Sequence, residues 1–238
     1  MAASAVKRIL KKDMMSIQTQ NLESMGIFIE FNEANILEAK AMIIGPEGSV
    51  YHNGVLFFDI KFPTNYPYSP PKLSYISRGS IRIHPNLYTG TSKDNYLGKV
   101  CLSILGTWSG PGWTTIMDIS SVLMSIQSLL DTNPLDHEPG YSGKLSPVHK
   151  AYCQCVEYEC FRTLINKNIF DTQEPFLCFK DKIVDHYKKN RETILERLKV
   201  LSIPSIQNSR AYIPIYRINV DFDFKGLREN TLELEKSL

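Results

Sequence analysis

Nowhere in these 238 residues does an apolar run approach the ~20 residues that a bilayer-crossing helix needs, so no membrane association is expected. An excess of one charge sign is also missing. Lys and Arg number 27 against 25 Asp and Glu, a net charge of +2, which leaves no electrostatic footprint for nucleic acid. Cysteine is sparse and odd in number, at five, well below the density of a disulfide-stapled scaffold. Reduced thiols in a cytoplasmic and/or nuclear setting are the expectation. The N-terminal MAASAVKRILKKDMM has neither the apolar stretch nor the cleavage site of a signal peptide. Its basic, acid-poor start shares features with a mitochondrial transit peptide but is short and poor in Arg. Internal repeats and low-complexity segments are absent. What is present, 43% hydrophobic and 22% charged residues, is the composition of a globular protein and excludes wholesale disorder. The length predicts one full domain with a substantial extension.

Periodicity divides the chain. Ser4 to Ile17 reads as a helix, with Val6, Ile9, Leu10, Asp13, Met14 and Ile17 at helical spacing and Lys7, Arg8, Lys11 and Lys12 sharing the exposed remainder. From Gly26 the period becomes two. Gly26 to Asn32, Leu37 to Ile44 and Val55 to Phe62 read as three strands of an antiparallel meander, and Leu73 to Ile76 as a fourth. Gly45-Pro46-Glu47-Gly48 and His52-Asn53-Gly54 supply the turns, because Gly and Asn tolerate positive φ. PTNYPYSPPK, with four prolines in ten residues, cannot be a helix or a central strand. It predicts a rigid loop that presents Tyr66 and Tyr68. Residues 77 to 118 are mostly irregular, and such a stretch inside a compact domain is usually functional. Helices are predicted over Ile116 to Leu130, Ser146 to about Lys167, and within Glu174 to Val200. Tyr212 to Phe224 alternates enough for a short strand or docked segment, and Leu227 to Leu238 reads as a mobile end.

Chemistry concentrates in His84-Pro85-Asn86, then GKVCLSIL around Cys101, then Trp108 and Trp113. Cys101 is the one cysteine in a loop-rich, glycine-flanked setting; the other four lie in apparent helices. It is a candidate nucleophile, and a buried small hydrophobe is the alternative. His149, Cys153, Cys155 and Cys160 do not have the spacing of a zinc knuckle, so no metal is expected. A cysteine protease pairing Cys101 with His84 or His137 would be another enzyme class, but no protease signature surrounds Cys101.

The order HPN, a cysteine in GKVCLSIL, tryptophan and a long apolar helix resembles the ubiquitin-conjugating enzymes. GPEGSVYHNGVLFFDIKFPTNYPYSPPK is similar to that family's strand, turn and proline-rich loop. The likeness covers roughly residues 4 to 165. LGTWSGPGWTTIMDISSVLMSIQSLLDTNPLDHEPGY, with its two tryptophans, and the long C-terminal extension resemble a large-type subgroup. The resemblance implies an α+β fold, a four-stranded antiparallel meander packed against helices, with a conjugating core over 4–167 and a helical, then partly irregular, extension over 168–238. It implies that ubiquitin or a ubiquitin-like modifier arrives from an activating enzyme as a thioester on Cys101 and leaves to a lysine or a ligase. No cofactor would be bound, ATP being consumed upstream. Asn86 inherits oxyanion stabilisation or loop ordering, while His84 and Pro85 shape the turn. An acid that orients the lysine would be Asp136, with Glu138 as the alternative because the alignment across LDHEPG is ambiguous. Lys7, Arg8, Lys11 and Lys12 would face the activating enzyme, and Tyr68 and the segment from Trp113 to Ile116 the ligase. The family's tight Gly-Gly turn is Asn53-Gly54 here, its Ser-Pro after tryptophan is Thr114-Thr115, and LYTGTSKDNYLG inserts about seven residues between Asn86 and Cys101.

Overall fold

The computed structural model describes residues 2–89, 98–143, 146–203 and 209–238. The chain forms two compact units that interleave along the sequence. The first comprises Met1–Ile44, Leu56–Ser77 and Asn86–Leu129; the second Gly45–Val55, Arg78–Pro85 and Leu130–Leu238.

In the first unit the expected meander is present as β1 (Ile27–Phe31), β2 (Glu38–Ile44), β3 (Val55–Lys61) and β4 (Lys72–Ile76), in spatial order β1-β2-β3-β4. β1 pairs antiparallel with β2 from Ile27↔Ile43 to Phe31↔Ala39, and β3 with β4 from Phe57↔Ile76 to Lys61↔Lys72. β3 is buried along most of its length, as expected of an interior strand rich in Val, Leu, Phe and Ile. The N-terminal helix is not one regular element. α1 (Ala2–Arg8) and α2 (Met14–Thr19) are joined by a π turn over Ile9–Asp13. Residues four apart lie one above the other on a helix face. Ala5, Ile9 and Asp13 are therefore buried, while Leu10, read as a core residue, is 51% exposed. The Arg8 side chain also leaves the predicted exposed face, being only 15% accessible. It donates to the Met117 carbonyl at 2.6 Å and lies 3.4 Å from the Asp13 carboxylate. Lys12 donates to the Ile116 carbonyl. Asp13 accepts from the Tyr66 hydroxyl at 2.5 Å and from the Ile119 backbone N–H at 2.9 Å, so it caps α3 (Ile119–Leu129). α3 buries Ile119, Val122, Leu123 and Ile126 and starts three residues later than its apolar run suggested.

In the second unit Asn53 takes φ +66°, as the turn chemistry required. α4 (Pro147–Glu159) passes without a break into a π-helical stretch, Cys160–Phe170. α5 runs over Lys180–Leu201, preceded by a 3₁₀ turn, Glu174–Phe179. β5 (Arg210–Ile213) and β6 (Ile218–Asp221) form an antiparallel hairpin where one strand was expected. The chain then ends in α6 (Phe224–Leu234), not in a mobile tail. α6 is held by its buried Thr231, which bonds to Asn166, and by Glu235, which accepts from Tyr187 and from Arg191 in a two-pronged pair. No helix among the described residues is long and apolar enough to cross a membrane.

Candidate acyl-transfer site

Cys101 sits on a loop tied to the sheet edge by backbone bonds. The Tyr75 N–H donates to the Gly98 carbonyl at 2.7 Å, and isolated bridges join Ser74 to Lys99 and Leu87 to Val100. Gly98 has φ +68°, and a Cβ there would come within 2.6 Å of the Tyr75 carbonyl oxygen. Only glycine meets both demands. Cys101 and Asn86 then grip each other reciprocally. The Cys101 N–H donates to the Asn86 carbonyl at 2.9 Å, and Asn86 Nδ2 donates to the Cys101 carbonyl at 2.7 Å. The Asn86 side chain is thereby tied to the loop that carries Cys101. Cys101 is 1% exposed and Asn86 5%. Residues 90–97, most of the inserted segment, lie outside the described residues.

Sequence reasoning missed Thr107. Its hydroxyl accepts from the Leu102 N–H at 2.9 Å and donates to the Val100 carbonyl at 2.7 Å, with the Leu102 carbonyl at 3.2 Å. One side chain thus staples both neighbours of Cys101. Only a hydroxyl accepts and donates at once in so small a volume, but nothing in the spacing of GTW announces the contact. Beside Val100 opens a groove of about 540 Å³, lined in part by Pro70, Pro71, Leu73, Lys99 and Leu105.

The proline-rich loop presents Tyr68 at 76% exposure. Trp113 is half-buried, and its Nε1 donates to the Pro67 carbonyl at 2.7 Å, bracing that loop; Ile116 is 77% exposed. Of the four basic residues on the N-terminal helix, Lys7 and Lys11 are exposed, whereas Arg8 and Lys12 bind the backbone at Met117 and Ile116.

Asp136 belongs to the second unit, in a 3₁₀ turn over Pro134–His137. Its Oδ1 lies 3.3 Å from Nε2 of the buried His149. Glu138, the alternative acid, accepts from the Tyr216 hydroxyl at 2.5 Å. His84 is fully buried, its ring 4.9 Å from that of His137, a packing role. Burial pushes Cys153 up to about 11 and Cys155 and Cys160 up to about 12, which keeps them protonated. Cys178 is exposed, in the 3₁₀ turn before α5.

Residues 9–154 match the family model described as ubiquitin-conjugating enzyme. The chain is 30% identical over 236 residues to Ubiquitin-conjugating enzyme E2 Z of Danio rerio, an alignment covering 96% of this chain and 67% of that protein. It is 37% identical over 159 residues to Ubiquitin-conjugating enzyme E2 Z of Homo sapiens, covering 66% of this chain and 42% of that one. To the Probable ubiquitin-conjugating enzyme E2 25 of Arabidopsis thaliana it is 36% identical over 193 residues, covering 76% and 28%. The chain therefore spans less than half the length of the human and plant relatives.

Proposed function

This chain belongs to the ubiquitin-conjugating enzyme family, and from that premise we propose that it carries ubiquitin or a ubiquitin-like modifier as a thioester on Cys101. The observation that supports this most is the mutual grip of Cys101 and Asn86 on a loop fixed by Gly98. In loading, the Cys101 thiolate attacks the carbonyl carbon of a modifier thioester held on an activating enzyme. The activating enzyme's sulfur leaves with the bonding electrons. One thioester replaces another, so the step needs no bound cofactor, and ATP is consumed upstream. Sulfur suits the task because it is strongly nucleophilic even when only a few per cent is ionised. In discharge, a lysine amine attacks the same carbonyl, the Cys101 thiolate leaves, and the amine loses its proton, giving an isopeptide bond. A ligase can accept the acyl group or position the lysine.

Asn86 holds the Cys101 backbone, which keeps the acceptor sulfur in place while negative charge builds on the thioester carbonyl oxygen. Asp136 orients and desolvates the incoming lysine; the engagement of Glu138 by Tyr216 favours Asp136 for this work. Lys7 and Lys11 meet the activating enzyme, and Arg8 shapes the helix they stand on. Tyr68 and Ile116 offer exposed apolar surface to a ligase, with Trp113 as the brace. We assign the conjugating core to 4–167 and the extension to 168–238, and place the protein in the cytoplasm and/or nucleus.

The test is loading with an activating enzyme, ATP and modifier, read on a non-reducing gel. Wild type gives an adduct that thiol reductant cleaves, and Cys101→Ser gives one that it does not. Absence of any adduct across a panel of activating enzymes and modifiers refutes the proposal.

A further inference from the structure

We infer that the C-terminal extension takes part in lysine transfer, with Tyr216 as a positioning residue for the turn that carries Asp136. This rests on reading Asp136 as the carboxylate that orients the lysine. A four-residue 3₁₀ turn has strained hydrogen bonds and little rigidity of its own, yet a side chain that orients a nucleophile has to be held to within about 0.5 Å. The second unit supplies a neighbour and a grip. From α4, His149 packs beside the turn, its Nε2 3.3 Å from Asp136 Oδ1 but bonded to the Tyr141 carbonyl at 3.1 Å, and its Nδ1 on the Ser146 hydroxyl at 2.9 Å. From the extension, the Tyr216 hydroxyl donates to Glu138 Oε2 at 2.5 Å, two residues beyond Asp136. Glu138 closes the turn itself, since its N–H donates to the Leu135 carbonyl.

The phenol is well seated for this. Tyr216 ends a short 3₁₀ turn between β5 and β6, before Arg217 at φ +52°. The Arg82 guanidinium lies 4.8 Å above its ring, and the Tyr152 ring is 5.5 Å away. Tyr152 in turn donates to the Arg82 carbonyl at 2.7 Å. A ring fixed on two sides aims its hydroxyl at one carboxylate, so the hairpin sets the place of Glu138 and, through the shared turn, of Asp136.

The experiment uses the full chain in single-turnover assays. Tyr216→Phe removes the hydroxyl and leaves the ring contacts. It is expected to load like wild type, to discharge to free lysine on the order of tenfold more slowly, and to discharge to hydroxylamine at the wild-type rate. Hydroxylamine is neutral at pH 7 and needs no carboxylate to desolvate it, so a general loss of structure would slow both nucleophiles. Glu138→Ala should reproduce the lysine defect, and the double variant should add nothing to it. Unchanged lysine discharge in Tyr216→Phe, equal slowing with both nucleophiles, or additive defects overturns the inference. Asp136→Asn is measured alongside. If it leaves lysine discharge unchanged, the reading of Asp136 fails. If it slows lysine discharge while Tyr216→Phe does not, only the role of the extension fails.

Discussion

Replacing Thr107 by Val keeps the shape of the side chain and deletes its hydroxyl. The loss is well defined, because the hydroxyl accepts from Leu102 N–H at 2.9 Å and donates to the Val100 carbonyl at 2.7 Å. A typical intramolecular hydrogen bond nets about 0.5–1.5 kcal/mol, and more when a partner is left unsatisfied. Two such bonds put the destabilisation at about 2 kcal/mol. For a chain of this size that corresponds to a drop in Tm of roughly 4–8 °C. The functional effect should exceed what unfolding explains at room temperature, because the stapled residues flank Cys101. Small misplacements of a reacting group are expensive, so loading from the activating enzyme should fall roughly tenfold at saturating modifier. Thr107→Ser retains the hydroxyl and should load and melt close to wild type. Thermal denaturation followed by circular dichroism, paired with single-turnover loading, checks both parts. If Thr107→Val melts and loads like wild type, or if Thr107→Ser fails as badly as Thr107→Val, the staple does not act as argued.

Two further outcomes are expected. Burial, reinforced by His52 and Lys189, holds the His186 imidazole down to about 4. A depressed folded value means that its contribution is present above the unfolded value near 6.5 and is lost as pH falls from there toward 4. Urea midpoints should therefore fall between pH 7 and pH 4.5 by the equivalent of at most about 3 kcal/mol, less whatever solvent screens at this half-buried ring. His186→Gln should flatten that part of the slope; an unchanged slope excludes His186 as its source. Gly98→Ala combines a left-handed backbone with a Cβ within 2.6 Å of the Tyr75 carbonyl oxygen. It should cost about 2 kcal/mol or more and impair loading, and a wild-type melt with normal loading would show that the loop moves aside freely.

The meander was legible because β1 to β4 are short, rich in β-branched and aromatic residues, and separated by turns whose residues state their own φ. Asn53 at +66° is the clearest instance. The proline-rich loop was legible for the converse reason, that proline forbids the alternatives. Helical periodicity misled at Leu10 and Arg8, because it assumes one pitch, and the π turn over Ile9–Asp13 changes which residues face inward. It could not know that the Met117 carbonyl, 109 residues away, accepts from Arg8. α6 was misread for a similar reason. FKGLRENTLEL has a glycine in its first turn and few apolar residues, and the helix is fixed by Asn166, Tyr187 and Arg191 from distant parts of the chain. At the site, Cys101 and Asn86 followed from motif resemblance. Thr107 and Tyr216 had no local signature, since each matters only through the atom it touches.

The near-complete burial of Cys101 also bears on how the thiols of this protein are counted. A sulfur at 1% exposure offers a diffusing reagent almost no collision surface, while Cys178 is open to solvent. A bulky maleimide or dithionitrobenzoate added to the native chain therefore titrates Cys178 first and leaves Cys101 to whatever rate uncovers it. On the role proposed for Cys101, a free-thiol count is then a poor measure of how much enzyme is charged, because the sulfur that would carry the acyl group and the one that answers the reagent are different.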